Sequence, residues 1–168
     1  MLFVFCGLPG TGKTTVAKII AKKLDASVIS TDYIRKKMFE NPTYRNWEKS
    51  LIYKMMYLLA EHLSKTETCI LDAVFTKEQH RNIAKEIARR NKVPIHFVEF
   101  VCDGDVIFKR ISGKRKGFSD ADYQIYEKLK KEFEPMKFNH IIVDTTHGME
   151  QAAVVLEEEL KFRGIVKG

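Results

Sequence analysis

Residues 7–14 read Gly-Leu-Pro-Gly-Thr-Gly-Lys-Thr, directly after the apolar run Leu2 to Cys6. No other segment restricts the possible folds as much. Five apolar residues closed by glycine and proline read as a strand buried on both faces. From Lys13 to Leu24 the apolar positions Val16, Ile19, Ile20 and Leu24 recur at spacings of three and four, so a helix follows the turn directly. A glycine-rich turn between a buried strand and a helix start curls its backbone N-H groups around one point, and the helix terminus adds partial positive charge. That arrangement suits a phosphate. The spacing is GxxxxGK[ST], the P-loop pattern. Its cradle comprises Gly7, Leu8, Pro9, Gly10, Thr11, Gly12, Lys13, Thr14 and the adjoining Thr15, with Lys13 reaching the terminal phosphates and Thr14 placing its hydroxyl on Mg²⁺.

The rest of the chain alternates strand and helix patterns. Strands are expected at Ser27 to Ser30, Thr68 to Leu71 ending in Asp72, Val93 to Cys102 and His140 to Asp144. Helices are expected from Asp32 to Glu40, Arg45 to Ser64, Lys77 to Asn91, Asp105 to Ile111 and Met149 to Phe162. The long helix carries Trp47, Leu51, Met55, Leu58, Leu59 and Leu63 as its apolar stripe. A further helix follows Ser-Asp-Ala-Asp, a capping-box pattern with Ser119 as N-cap and Asp122 at N3. No repeat or linker interrupts this order, and 168 residues suit a single domain. Such alternation predicts a parallel sheet of about five strands with helices on both faces, an α/β fold.

Which P-loop chemistry the chain carries depends on the other motifs. A guanine-reading NKxD is missing, since its nearest match, Asn91-Lys92-Val93, ends in Pro94. Asp72 closes its strand as a Walker B-like carboxylate would, but Ala73 stands where water-activating ATPases place a glutamate. Transfer to an acceptor other than water therefore fits better than hydrolysis. Asp32 and Arg35 form a DxxR on one face of a helix start, at the sheet edge where open α/β folds bind ligands. The carboxylate suits a base for an acceptor hydroxyl and the guanidinium suits an anionic group, while the bland reading makes Ser30, Thr31 or Asp32 an N-cap and Arg35 a solvated helix residue. Asp72 suits the Mg²⁺ shell together with Thr14 or orients the acceptor, while the bland reading is a turn residue that satisfies backbone amides. Phe75 and Arg81 either line an acceptor pocket or serve as a packing residue and a solvated cation.

Lysine and arginine number 29 against 22 acidic residues, a net charge of +7. The excess is local. Lys109 to Gly117 holds five basic and no acidic residues, and Thr76 to Lys92 six basic and two acidic ones. The first cluster, in which Gly113 and Gly117 stand at either end of Lys114 to Lys116, reads as a small basic lid over about 109–118 that closes on phosphates, or as a solvated loop or one that touches a nucleic-acid backbone. Within it Arg110 is the expected catalytic cation and Lys114 a further nucleotide contact, with Arg115 as the alternative to Lys114. Cys6, Cys69 and Cys102 are odd in number and lie in apolar runs without CxxC spacing, which predicts buried, reduced thiols in the cytoplasm. No apolar stretch reaches membrane-spanning length, and the N-terminus lacks the basic region of a signal peptide. Five histidines without ligand spacing point to no structural metal.

With the P-loop, DxxR, strand-ending Asp72 and basic lid in this order, and through LDAVFTKEQHR and FSDADYQIYEKLKKEFEP, the chain resembles the AAA-domain group of small P-loop kinases. That group includes the kinase domain of phage-type polynucleotide 5′-hydroxyl kinases. The resemblance implies a three-layer P-loop NTPase fold over 1–168, with strand order 2-3-1-4-5, ATP and Mg²⁺ as donor and cofactor, and a lid. It implies Asp32 as the general base, Arg35 as a contact to the phosphate near the acceptor and Arg110 as a lid cation, which together with Lys13 of the P-loop are the expected catalytic residues. The expected activity is transfer of the γ-phosphoryl group of Mg-ATP to a hydroxyl of a small molecule, a nucleotide or a nucleic-acid 5′ end. The alternative is a P-loop module that holds ATP for regulation or nucleic-acid binding without transfer.

Overall fold

A computed structural model describes residues 1–43, 45–113 and 120–167. Five strands form one sheet in the order β2-β3-β1-β4-β5, and every pairing is parallel. They are β1 (Leu2–Cys6), β2 (Ser27–Ser30), β3 (Cys69–Asp72), β4 (Ile95–Val101) and β5 (Ile141–Asp144). The helices are α1 (Lys13–Leu24), α2 (Thr31–Met38), α3 (Asn46–Leu63), α4 (Glu78–Asn91), α5 (Gly104–Gly113), α6 (Asp120–Glu132) and α7 (Met149–Phe162).

Alternation along β1 explains the three layers. Leu2, Val4 and Cys6 face one core, with Ile34 of α2, Ile52, Met56 and Ala60 of α3, and Ala84, Ile87 and Ala88 of α4. Phe3 and Phe5 face the other, with Val16, Ala17 and Ile20 of α1 and Ala152, Ala153, Leu156 and Leu160 of α7. All five β1 residues have no exposed surface, as a central parallel strand with both faces covered requires. Aligned parallel strands bring the ends of β1, β2 and β3 together: Phe5 and Ser30 both sit opposite Asp72.

Helix boundaries depart modestly from the sequence reading. Residues 31–38 form α2 instead of Asp32 to Glu40, because Phe39 already adopts extended geometry ahead of Asn41 and Pro42. The buried stripe of α3 runs through Glu48, Ile52, Met56 and Ala60, whereas Trp47, Leu58 and Leu59 are exposed. This helix is apolar on two faces, so periodicity alone could not choose between them. In α5 the helix begins after Asp103, whose carboxylate accepts from the N-H groups of Asp105 and Val106 at 2.9 and 3.3 Å, and it continues to Gly113. The proposed lid therefore starts as helix over 109–113, while Lys114, Arg115, Lys116, Gly117 and the expected N-cap Ser119 lie outside the described residues. Cys6 and Cys69 are buried as expected, but Cys102, at the open end of β4, is half-buried. Among the described residues no helix is long and apolar enough to cross a membrane.

Candidate phosphoryl-transfer site

The loop between β1 and α1 is shaped by its glycines. Gly7 has φ 144°, and a Cβ there would lie 2.5 Å from the Phe100 carbonyl oxygen. Gly12 has φ 82°, and a Cβ there would lie 2.6 Å from Met149 Cγ. Both positions demand glycine on conformational and steric grounds. With these turns made, the N-H groups of Thr15 and Val16 donate to the Gly12 carbonyl at 3.0 and 3.1 Å, while those of Lys13 and Thr14 precede the first helical bonds of α1. Lys13 Nζ donates across the loop to the Leu8 carbonyl at 2.9 Å, and Thr11 Oγ1 donates to the same oxygen at 2.8 Å. Lys13 is buried, and desolvation lowers its pKa against the opposing pull of Asp72 and then Asp32. A buried ammonium bonded to a carbonyl is poised for an anion.

Thr14 Oγ1 donates to Asp72 Oδ2 at 2.7 Å, which joins the start of α1 to the end of β3. Among the described residues no cluster of three or more carboxylate, imidazole or thiol groups could hold a metal ion. A divalent ion here must take most of its ligands from phosphate and water, which suits Mg²⁺ better than a cation needing a protein cage. The glycine-shaped loop, the buried ammonium and the hydroxyl-carboxylate pair have the donor chemistry that a metal-bound nucleotide phosphate requires.

The DxxR pair stands at the neighbouring strand end. Asp32 lies in the first turn of α2 with its side chain 76% exposed, and Arg35 Nη1 donates to its Oδ1 at 2.8 Å. Ser30 is the N-cap without a side-chain capping bond, so Asp32 does not act as the cap. Arg35 is buried, and its Nε lies 3.4 Å from Glu48 Oε1. Glu48, 1% exposed, accepts at Oε2 from Thr43 N and Oγ1 at 2.8 and 2.9 Å. Glu48 was missed by the sequence reading. The one available signal was a carboxylate in the first turn of a helix, which usually marks only the helix start.

Arg110 lies beside the cradle, its Nη1 4.0 Å from where a Cβ on Gly12 would be. Its donors meet Thr145: Nη1 the hydroxyl at 3.2 Å and Nη2 the carbonyl at 2.6 Å, with Cys102 Sγ also 3.2 Å from Nη1. Thr145, fully buried after β5, donates its hydroxyl to the Thr11 carbonyl at 2.7 Å and so fastens the P-loop to the far side of the sheet. It too was missed, since a threonine just past a strand ordinarily signals only a turn. Thr145→Val keeps the shape and leaves the Thr11 carbonyl and an Arg110 donor without this partner. The expected loss is about 1–3 kcal/mol, read as a melting temperature lower by roughly 3–10 °C.

Neither sequence reading of Arg81 holds. It is not solvated and does not line a pocket: it is fully buried, with Nη1 and Nη2 donating to the carbonyls of Phe75 and Glu134 at 3.0 and 2.7 Å. Phe75 is fully buried as a packing residue, edge-on to Tyr53 at 5.7 Å between ring centres.

The chain is 26% identical to an adenylate kinase of Campylobacter jejuni subsp. doylei over 185 positions, spanning 95% of this chain and 96% of that one. A putative kinase of Chloroflexus aurantiacus superposes with a TM-score of 0.73 at 20% identity, covering 94% and 96% of the two chains. The Mycobacterium tuberculosis APS kinase CysC, solved in complex with AMPPNP and APS, gives a TM-score of 0.73 at 16% identity, covering 95% and 96%. At these identities the two structures show the shared fold. Residues 2–136 match the family profile described as an AAA domain. That match takes in the P-loop, the DxxR, Asp72 and α5, and the chain belongs to this AAA domain family, a P-loop kinase-like family.

Proposed function

We propose that this chain is an ATP-dependent, Mg²⁺-requiring kinase acting on a hydroxyl group. The observation that carries the reading is the convergence at one sheet edge. Asp72, bonded to Thr14 of the P-loop helix, sits opposite both Phe5 and Ser30, so that the solvent-facing Asp32, two residues past β2, starts from the same strand ends as the phosphate loop. Water-activating ATPases place a glutamate after the strand-ending carboxylate, and Ala73 follows Asp72 instead. Mg-ATP, when bound, supplies the transferable phosphoryl group. Lys13 and the loop amides hold its phosphates, and Thr14 and Asp72 support the metal shell. Asp32 takes the proton of the acceptor hydroxyl, and Arg35, steadied by Glu48, holds negative charge on the acceptor side. Arg110, and with it Lys114, contacts the nucleotide once it leaves Thr145.

In this reading residues 1–168 form one kinase domain with a basic lid at about 109–118, working in the cytoplasm. The acceptor is a small molecule, a nucleotide or a nucleic-acid 5′ end, the last following from the resemblance to phage-type polynucleotide kinases. A transfer screen with labelled ATP tests it against nucleosides, nucleoside monophosphates, sugars, aminoglycosides and 5′-hydroxyl DNA and RNA. One acceptor class should become labelled at least tenfold faster than ATP is hydrolysed. Salt-sensitive oligonucleotide binding with no transfer to any acceptor would instead favour a nucleic-acid-binding module.

A further inference from the structure

Arg81 heads the largest fully buried side chains, yet it makes no ion pair among the described residues. Its fork is spent on two main-chain carbonyls, those of Phe75 and Glu134, and its Nε has no hydrogen-bond partner. Burying a guanidinium in this way is costly, and simple packing would be served as well by an apolar side chain. What the cation holds explains the cost.

Phe75 is a non-glycine residue at φ 50°, and its peptide is gripped from both sides: Arg81 donates to its carbonyl, and its N-H donates to Tyr53 Oη at 3.2 Å. Strained residues held by several partners cluster at working sites. The residue before it, Val74, accepts at its carbonyl from the N-H of Gly7, the first P-loop residue, at 3.3 Å. Two residues earlier still is Asp72, bonded to Thr14. Residues 72–75 therefore join the metal-side carboxylate to the start of the phosphate loop, and Arg81 locks the far end of this short span. The other half of the fork reaches Glu134, just past α6, whose N-H donates to the Thr76 carbonyl at 2.8 Å and whose carboxylate accepts from Glu78 N at 2.6 Å.

We propose that Arg81 is a positioning residue that, through the Phe75 peptide, fixes Asp72 and Gly7 for a metal-bound nucleotide and, through Glu134, ties that site to the segment following α6. The assignment rests on the Mg-ATP reading of the P-loop above. Arg81→Lys retains the charge without the planar fork and reaches one carbonyl at most. In the ligand-free protein, amide hydrogen exchange at Gly7 and Phe75 should quicken at least tenfold in this variant, with the amides of α7 within twofold of the parent. The affinity for a fluorescent ATP analogue, measured with Mg²⁺ and with EDTA, gives the second readout. The tightening that Mg²⁺ provides should fall at least fivefold, and Arg89→Lys on the exposed side of α4 should leave it unchanged.

Faster exchange throughout the chain, or equal loss of affinity with and without Mg²⁺, would make Arg81 a general stabiliser and overturn the assignment. Should Arg81→Lys fail to fold, Tyr53→Phe removes the opposite grip on Phe75 and must quicken exchange at that amide and reduce the Mg²⁺ effect at least twofold. No change there also overturns it. A parent protein that binds the analogue no better with Mg²⁺ than without defeats the Mg-ATP reading itself, and the proposal with it. That failure shows in the parent, whereas failure of the Arg81 assignment alone shows only in the variants.

Discussion

Asp32→Asn should keep ATP affinity within about twofold of the parent while phosphoryl transfer falls by about 10²–10⁴, the usual contribution of a positioned general base. The substitution is nearly isosteric, and its amide oxygen can still accept from Arg35 Nη1, which now meets Asp32 Oδ1 at 2.8 Å. The side chain is 76% exposed, so the ion pair contributes little to stability and the melting temperature should barely move. What the amide cannot do is take a proton from a hydroxyl. Initial transfer rates to the acceptor found in the screen, set beside fluorescent-nucleotide titrations, separate the two effects. Full activity in Asp32→Asn would remove Asp32 from the base role and leave Arg35 as the only functional member of the DxxR.

Lys13→Ala should lower transfer by about 10²–10³ or more, since a preorganised donor at the transferring phosphates is lost. Its effect on folding should have the opposite sense. The ammonium is buried against the Leu8 carbonyl, and desolvation holds its pKa below the free-lysine value of 10.5. Below its lowered folded pKa the buried charge opposes folding. Between the folded pKa and 10.5 the unfolded chain binds the extra proton, so this group makes stability rise with pH. Lys13→Ala should therefore be as stable as the parent or more so at neutral pH, with that alkaline rise missing from the difference between the two proteins. Urea unfolding of both from pH 7 upward checks the sign. A variant that unfolds far more readily than the parent would mean that Lys13 is structural, and normal turnover would defeat the P-loop assignment.

The motifs legible in the chain were those whose chemistry is local. A glycine pattern, a lysine one residue past it and a carboxylate three residues before an arginine are all defined by neighbours in sequence. The structure accordingly brings the P-loop, Asp32 and Asp72 to one sheet edge. Arg81, Glu48 and Thr145 were not legible, because each acts through a group distant in sequence: Glu134 for Arg81, Arg35 for Glu48 and Thr11 for Thr145. Nothing in a run of basic residues marks the one that will be fully buried. The same limit applied to α3, where two apolar faces coexist and only the cores under β1 and β3 decide that Ile52 and Met56 point inward.

Sequence by itself determined the alternating strands and helices, their near-correct bounds and the glycine turn between β1 and α1, because hydrophobic periodicity and turn chemistry act over a few residues. Tertiary structure decided which face each helix buries, which polar groups are taken out of water, and how Asp72, Gly7 and Phe75 are held in common. Those outcomes depend on distances between segments that have no fixed separation until the sheet has assembled.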